Sequence, residues 1–180
     1  MTDKNVSIMN IGSMGYLPQV FKKIENEKKL NIVYLGGSIT MGCNATKTEL
    51  RYVDRSAKWW QTNFPDAEIS YFNAGIGATT SQFGVARVQE HVLDKQPDLV
   101  FVEFSVNDSS SPLFMETYES LVRRLLKAES VKAVVLINNL FYDTGTNAQG
   151  IHNAIGLHYD LPIVSVRNYI FPEIQLGNVC

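Results

Sequence analysis

The sequence predicts an α/β domain with a parallel sheet covered by helices on both faces, and three observations carry this. Five short runs rich in β-branched and aliphatic residues recur along the 180 residues. Segments with helical spacing of apolar residues separate them. Most of the runs are apolar at successive positions rather than alternating, as strands buried on both faces are. Strand–helix alternation at this density implies right-handed βαβ crossovers.

In chain order, Leu17, Val20, Phe21 and Ile24 form the stripe of a first helix, and Asn31–Leu35 the first strand. Val53, Ala57, Trp60 and Phe64 predict a second helix before the strand Glu68–Asn73. Phe83, Val85, Val88 and Val92 mark a third helix, followed by the strand Leu99–Phe104. Tyr118, Leu121, Val122 and Leu125 mark a fourth, before the strand Ala133–Ile137. Ile151, Ala154, Ile155 and His158 mark a fifth, before the strand Ile163–Val166. The 14 residues from Arg167 to Cys180 show no final helix, and Pro172 argues against a long one. The fifth strand is therefore expected at a bare sheet edge, beside an apolar face that invites self-association into a homo-oligomer. No repeat or linker interrupts the pattern, so residues 1–180 read as a single domain.

Composition narrows the function. Hydrophobic residues make up 45% and charged residues 19%, which supports a packed core rather than disorder. A net charge of −2, with Lys and Arg scattered among acids, gives no basic stripe for nucleic acid. No apolar run is long enough for a membrane span, and the start lacks a signal-peptide core, so a cytoplasmic chain without membrane partners is expected. Cys43 and Cys180 make no disulfide framework and read as reduced thiols.

In open α/β sheets ligands bind beyond the carboxyl ends of the strands. The first strand is followed by Gly36-Gly37-Ser38-Ile39-Thr40, the second by Ala74-Gly75-Ile76-Gly77-Ala78-Thr79-Thr80, the third by Ser105-Val106-Asn107-Asp108. Small and polar residues thus gather at one rim. Ser38, behind two glycines at a strand-to-helix turn, reads either as a plain N-cap or as an exposed nucleophile whose N–H faces an oxyanion. Asn107 reads either as a strand-ending turn residue or as an amide donor. A Walker A loop is absent, and Gly75-Ile76-Gly77 lacks the third glycine of a dinucleotide fingerprint, leaving a nucleotide or phosphate binder as the poorer alternative.

Leu35-Gly36-Gly37-Ser38-Ile39-Thr40 resembles the first block of the SGNH (GDSL-like) hydrolases. Asn73-Ala74-Gly75-Ile76-Gly77 resembles their second and Val106-Asn107-Asp108 their third, in the same order and after the same strands. The resemblance runs from about Asn31 to Val166 and is nearest to a carbohydrate-esterase-like branch. It implies a flavodoxin-like three-layer α/β/α fold with five parallel strands in the order 2-1-3-4-5. It implies Ser38 as nucleophile, and an oxyanion hole of the Ser38 N–H, a backbone N–H at Gly77 or Ala78, and the Asn107 side chain. It implies a small ester substrate, acylated carbohydrate among the candidates, with no cofactor and no metal.

Two departures concern shape: Ala78 stands where the second block has glycine, and Ser105 where the third block opens with glycine. Alanine can serve unless its backbone needs positive φ. The third departure concerns chemistry, because the family's Asp-x-x-His block has no counterpart. No Asp or His follows Asp160. The sequence places His91 with Arg87 on a polar helix side, His152 on the polar side of the fifth helix and His158 on its apolar stripe, all away from the rim. Glu103 reads as a charge paired in the core. The chain is thus expected to be a truncated ester hydrolase of little activity, or a non-catalytic protein of the same fold.

Overall fold

A computed structural model describes residues 3–13 and 15–178. Cys180 lies outside them; Cys43 is a free, exposed thiol. Among the described residues the central sheet has six strands, in the order β1-β6-β5-β4-β2-β3. They are β1 (Ile8–Asn10), β2 (Lys29–Gly36), β3 (Glu68–Gly75), β4 (Leu99–Glu103), β5 (Ala133–Asn138) and β6 (Ile163–Ser165). Strands β2 to β6 are the five expected from sequence, all parallel and in the expected order.

Among the described residues seven α-helices connect or flank them: α1 (Leu17–Glu27), α2 (Ser38–Met41), α3 (Tyr52–Asn63), α4 (Ser81–His91), α5 (Pro112–Leu126), α6 (Gln149–His158) and α7 (Val166–Gln175). One core layer packs Val33, Leu35, Val100, Val102 and Leu136 of the sheet against Val88 of α4, Leu121 and Leu125 of α5, and Ile155 of α6. The other packs Ile32, Tyr34 and Leu99 against Val20 and Ile24 of α1 and Val53 and Trp60 of α3. Alternation along each strand feeds both layers, which is why the strands read as continuous apolar runs.

Four expectations need correction. Strand β6 is not an edge, because β1 pairs antiparallel with it, Ile8 opposite Val164. The segment after β6 is helical: the Ser165 hydroxyl caps α7 by accepting from the Asn168 N–H at 3.1 Å, and the helix accommodates Pro172. Of the expected α4 stripe, Val88 and Val92 are buried and Val85 packs against the core as expected, but Phe83 is exposed and Ser81, Gly84 and Arg87 are buried instead. The buried side of α6 is His152, Ile155 and Gly156, while His158 is exposed. In both helices a polar side chain with a buried partner turns the inward face away from the most apolar stripe.

On the α1/α3 side the sheet is only partly covered. Phe101, Val135 and Val164 floor an apolar groove walled by Ile8, Ile11, Leu17, Phe21, Trp59 and Trp60. The groove holds about 420 Å³ and continues into a cavity of about 560 Å³ that reaches Ile39, Tyr52 and Asn139 at the carboxyl rim. So the bare apolar surface expected from sequence is a sheet face rather than a strand edge.

Candidate active site

The rim is built from the three turns at the carboxyl ends of β2, β3 and β4. Ser38 opens the one-turn helix α2, and its carbonyl accepts from Gly42 and Cys43. The turn is tight because its neighbours are glycines. A β-carbon on Gly37 would collide with the Asn107 Oδ1 and stand 3.3 Å from the Thr79 carbonyl oxygen. One on Gly75 would strike the backbone of Met41. The turn that carries Ser38 is therefore packed directly against the second turn and the Asn107 side chain, where no side chain fits between them.

Several side chains lock this arrangement. Asn73 donates its amide to the Thr40 carbonyl at 2.8 Å and accepts from the Gly75 N–H at 2.9 Å, tying α2 to the end of β3. The Thr40 hydroxyl pairs with the Tyr52 hydroxyl at 2.8 Å. Ser105 is wholly buried; its Oγ donates to Glu103 Oε1 at 3.2 Å and accepts from the Asn139 N–H at 2.8 Å. In place of the expected glycine, then, a hydroxyl joins the ends of β4 and β5. Ala78 sits at φ 57°, so the position does require the left-handed backbone that glycine adopts freely.

Among the described residues no hydrogen bond engages the Ser38 hydroxyl or the Asn107 side chain, whose Oδ1 is nevertheless buried. A buried amide without a partner is uncommon. Here its oxygen packs against Gly37, the residue before Ser38.

Asp108, next to Asn107, is buried and doubly used. Its Oδ1 accepts from the Ser81 N–H at 2.9 Å, at the start of α4. Its Oδ2 pairs with His152 Nε2 at 3.0 Å. His152 has no exposed surface, its ring stacks on Tyr118 with centroids 3.6 Å apart, and its Nδ1 has no partner. Burial lowers its pKa, opposed by the Asp108 hydrogen bond. The expectation of a polar-side histidine away from the rim is thus overturned. The amino end of α6 lies near the rim, and His152 braces the turn that carries Asn107.

Glu103 is fully buried at the end of β4, and burial pushes its pKa up to about 7 against hydrogen bonds from Ser105 and Asn139. It is held in the core as expected, although its Oε2 has no partner. Arg87 is buried too, contrary to expectation: its Nη1 donates to the Ala74 carbonyl at 2.7 Å and its Nη2 to the Gly36 carbonyl at 3.1 Å. His91 lies beside it, Nδ1 3.2 Å from Nη1. Sequence reasoning missed both interior roles. For Arg87 a signal existed, since Ser81 and Gly84 precede it at three-residue steps on one helix side; for His152 and Asp108, 44 residues apart, none did. Among the described residues no group of His, Cys, Asp or Glu side chains could hold a metal ion.

A mostly parallel sheet of this order between two helix layers, with three turns of small and polar residues at one rim, defines an SGNH-type hydrolase fold. The chain belongs to the GDSL-like lipase/acylhydrolase family, whose sequence signature matches residues 34–163. No curated protein matches it in sequence. Two crystal structures of a two-domain esterase active on acetylated mannans, one co-crystallised with mannopentaose, are 46% identical with TM-scores of 0.96. They match 99% of this chain, which covers 48% and 49% of theirs, so it spans about half the length of those esterases. A catalytic mutant of an acetylxylan esterase from Geobacillus stearothermophilus shares the fold at 18% identity and TM-score 0.68, over 81% of this chain and 80% of that one.

Proposed function

We propose that these residues form the nucleophile-bearing part of an esterase that removes small acyl groups, acetyl foremost, from carbohydrate. The observation that carries this is the close packing of the Asn107 side chain, through its Oδ1, and of the Thr79 carbonyl against Gly37, the residue before Ser38. In this reading the Ser38 Oγ adds to the ester carbonyl carbon while its proton passes to a base. The carbonyl oxygen takes up negative charge and is met by the Ser38 N–H, the Gly77 or Ala78 N–H and the Asn107 amide. Three such donors fixed in advance are what a tetrahedral intermediate needs. Collapse expels the sugar hydroxyl with a proton, and water then releases the acyl group as its acid. The substrate class rests on the 46% identity to an esterase active on acetylated mannans.

None of the three histidines suits the base. His152 is sealed against Asp108 and Tyr118, His91 sits beside Arg87, and His158 lies exposed at the far end of α6. The base in this reading is not one of these three, and the mannan esterase of 46% identity is about twice as long as this chain. The same absence favours the second reading, a non-catalytic protein that binds acylated sugar at the rim.

Acetate release from acetylated manno-oligosaccharides, with and without added imidazole, separates the two. Loss of the histidine from a serine triad costs about 10⁶ in kcat and leaves roughly 10³–10⁴ over water. The expected result is slow release that imidazole accelerates and Ser38→Ala abolishes. No Ser38-dependent release even with imidazole establishes the non-catalytic reading. Fast release without imidazole places a base within the chain, with His152 the first to replace.

A further inference from the structure

We infer that Arg87 is a positioning residue for the nucleophile turn, a role that rests on the reading of Ser38 given above. A buried guanidinium normally faces a carboxylate. Among the described residues Arg87 forms no salt bridge; its hydrogen-bond partners are two backbone carbonyls and the His91 ring. Those carbonyls are not arbitrary ones. Gly36 is the last residue of β2, two before Ser38, and Ala74 is the penultimate residue of β3, ahead of the turn that carries Gly77 and Ala78.

The planar fork of an arginine suits this task, because two donors fixed in one plane set the spacing of two acceptors. Between them Gly36 and Gly75 are paired in register, and the Ile76 N–H also donates to the Gly36 carbonyl at 3.1 Å. Arg87 thus closes the strand pair at the point where both chains leave the sheet. The helix that carries it is itself anchored to the third turn, through the Ser81 N–H and Asp108. All three donor segments are therefore referred to α4, and Arg87 is the link to two of them. The clamp adds to the Asn73 tie between the same two turns and limits how far Ser38 and the Ala78 N–H can drift apart. Displacement of about 1 Å at such a site can cost 10²-fold in rate.

The test compares Arg87→Met and Arg87→Lys with the unaltered chain in two ways. Amide hydrogen exchange is followed over residues 36–41 and 74–80, with α5 as reference. Imidazole-assisted hydrolysis of p-nitrophenyl acetate is followed with Ser38→Ala as blank. Arg87→Met should exchange faster at both rim segments and not in α5, and lose about tenfold to a hundredfold in kcat with KM little changed. Arg87→Lys, which keeps the charge and one donor, should recover part of each effect, and it decides the matter alone if the methionine variant does not fold. A uniform rise in exchange with kcat unchanged, or unaltered exchange at either rim segment, overturns the proposal. If the unaltered chain shows no Ser38-dependent turnover, the reading of function fails separately, and the exchange comparison still decides whether Arg87 clamps the two turns.

Discussion

Ala78 holds φ 57° with a side chain, a conformation that costs an ordinary L-residue roughly 1–2 kcal/mol. Its N–H is a candidate oxyanion donor, so the strain sits where the geometry is needed. Ala78→Gly should raise stability by about 1 kcal/mol in urea denaturation. Glu103 is strained electrostatically. Its carboxyl binds a proton up to about pH 7 in the fold but only to about 4.5 when unfolded, so its effect on stability worsens as pH rises through that window. Glu103→Gln should therefore gain stability relative to the parent at pH 8 and lose that advantage near pH 5, as read from melting temperatures. His152 runs the other way. Burial lowers its pKa, so its contribution is present above about pH 6.5 and fades as pH falls below that. His152→Phe keeps the stack on Tyr118 but leaves Asp108 Oδ2 without its hydrogen bond, and should cost about 1–3 kcal/mol at pH 7.

At the scale of elements, what the sequence disclosed depended on where the determining contacts lie. The strands β2 to β6 and the helices α1, α3 and α5 were legible because their apolar spacing is local and each faces an apolar layer. Strand β1 was not: it has three residues, Ile8 and Met9 are exposed, and only pairing with β6 makes it a strand. Helix α7 was hidden by Pro172, yet the Ser165 cap that begins it stands in the sequence. The inward faces of α4 and α6 were legible only in part, through Val85, Val88, Val92 and Ile155, because Arg87 and His152 look like surface residues until their distant partners are known. At the rim, the three turns were legible as small and polar residues at equivalent places. The clamps beneath them were not, since Asp108–His152 and Arg87–Gly36 join residues 44 and 51 positions apart.

Across the whole molecule, the sheet face over Phe101, Val135 and Val164 is the feature that most sets solution behaviour. Both tryptophans, Trp59 and Trp60, line it, with Trp59 52% exposed, so their fluorescence reports its occupancy. Large exposed apolar patches are rare on soluble monomers. The chain is expected to self-associate at micromolar concentration, seen by sedimentation velocity together with a blue shift of tryptophan emission. Val164→Glu, in the floor of the groove, should suppress both effects. A monomer whose tryptophan emission is independent of concentration would show that the face is tolerated bare.

The claim on which the account turns is that Ser38 is a nucleophile set among preformed donors. Its most direct test is mass spectrometry of the chain after incubation with a small fluorophosphonate in the presence of imidazole. A phosphonate mimics the tetrahedral intermediate once bonded to the serine, so it reports nucleophile and oxyanion donors together. A single adduct is expected on the peptide that contains Ser38, absent from Ser38→Ala and slowed by Asn107→Ala. An adduct on another residue, equal labelling of Ser38→Ala, or no adduct with imidazole present would contradict it.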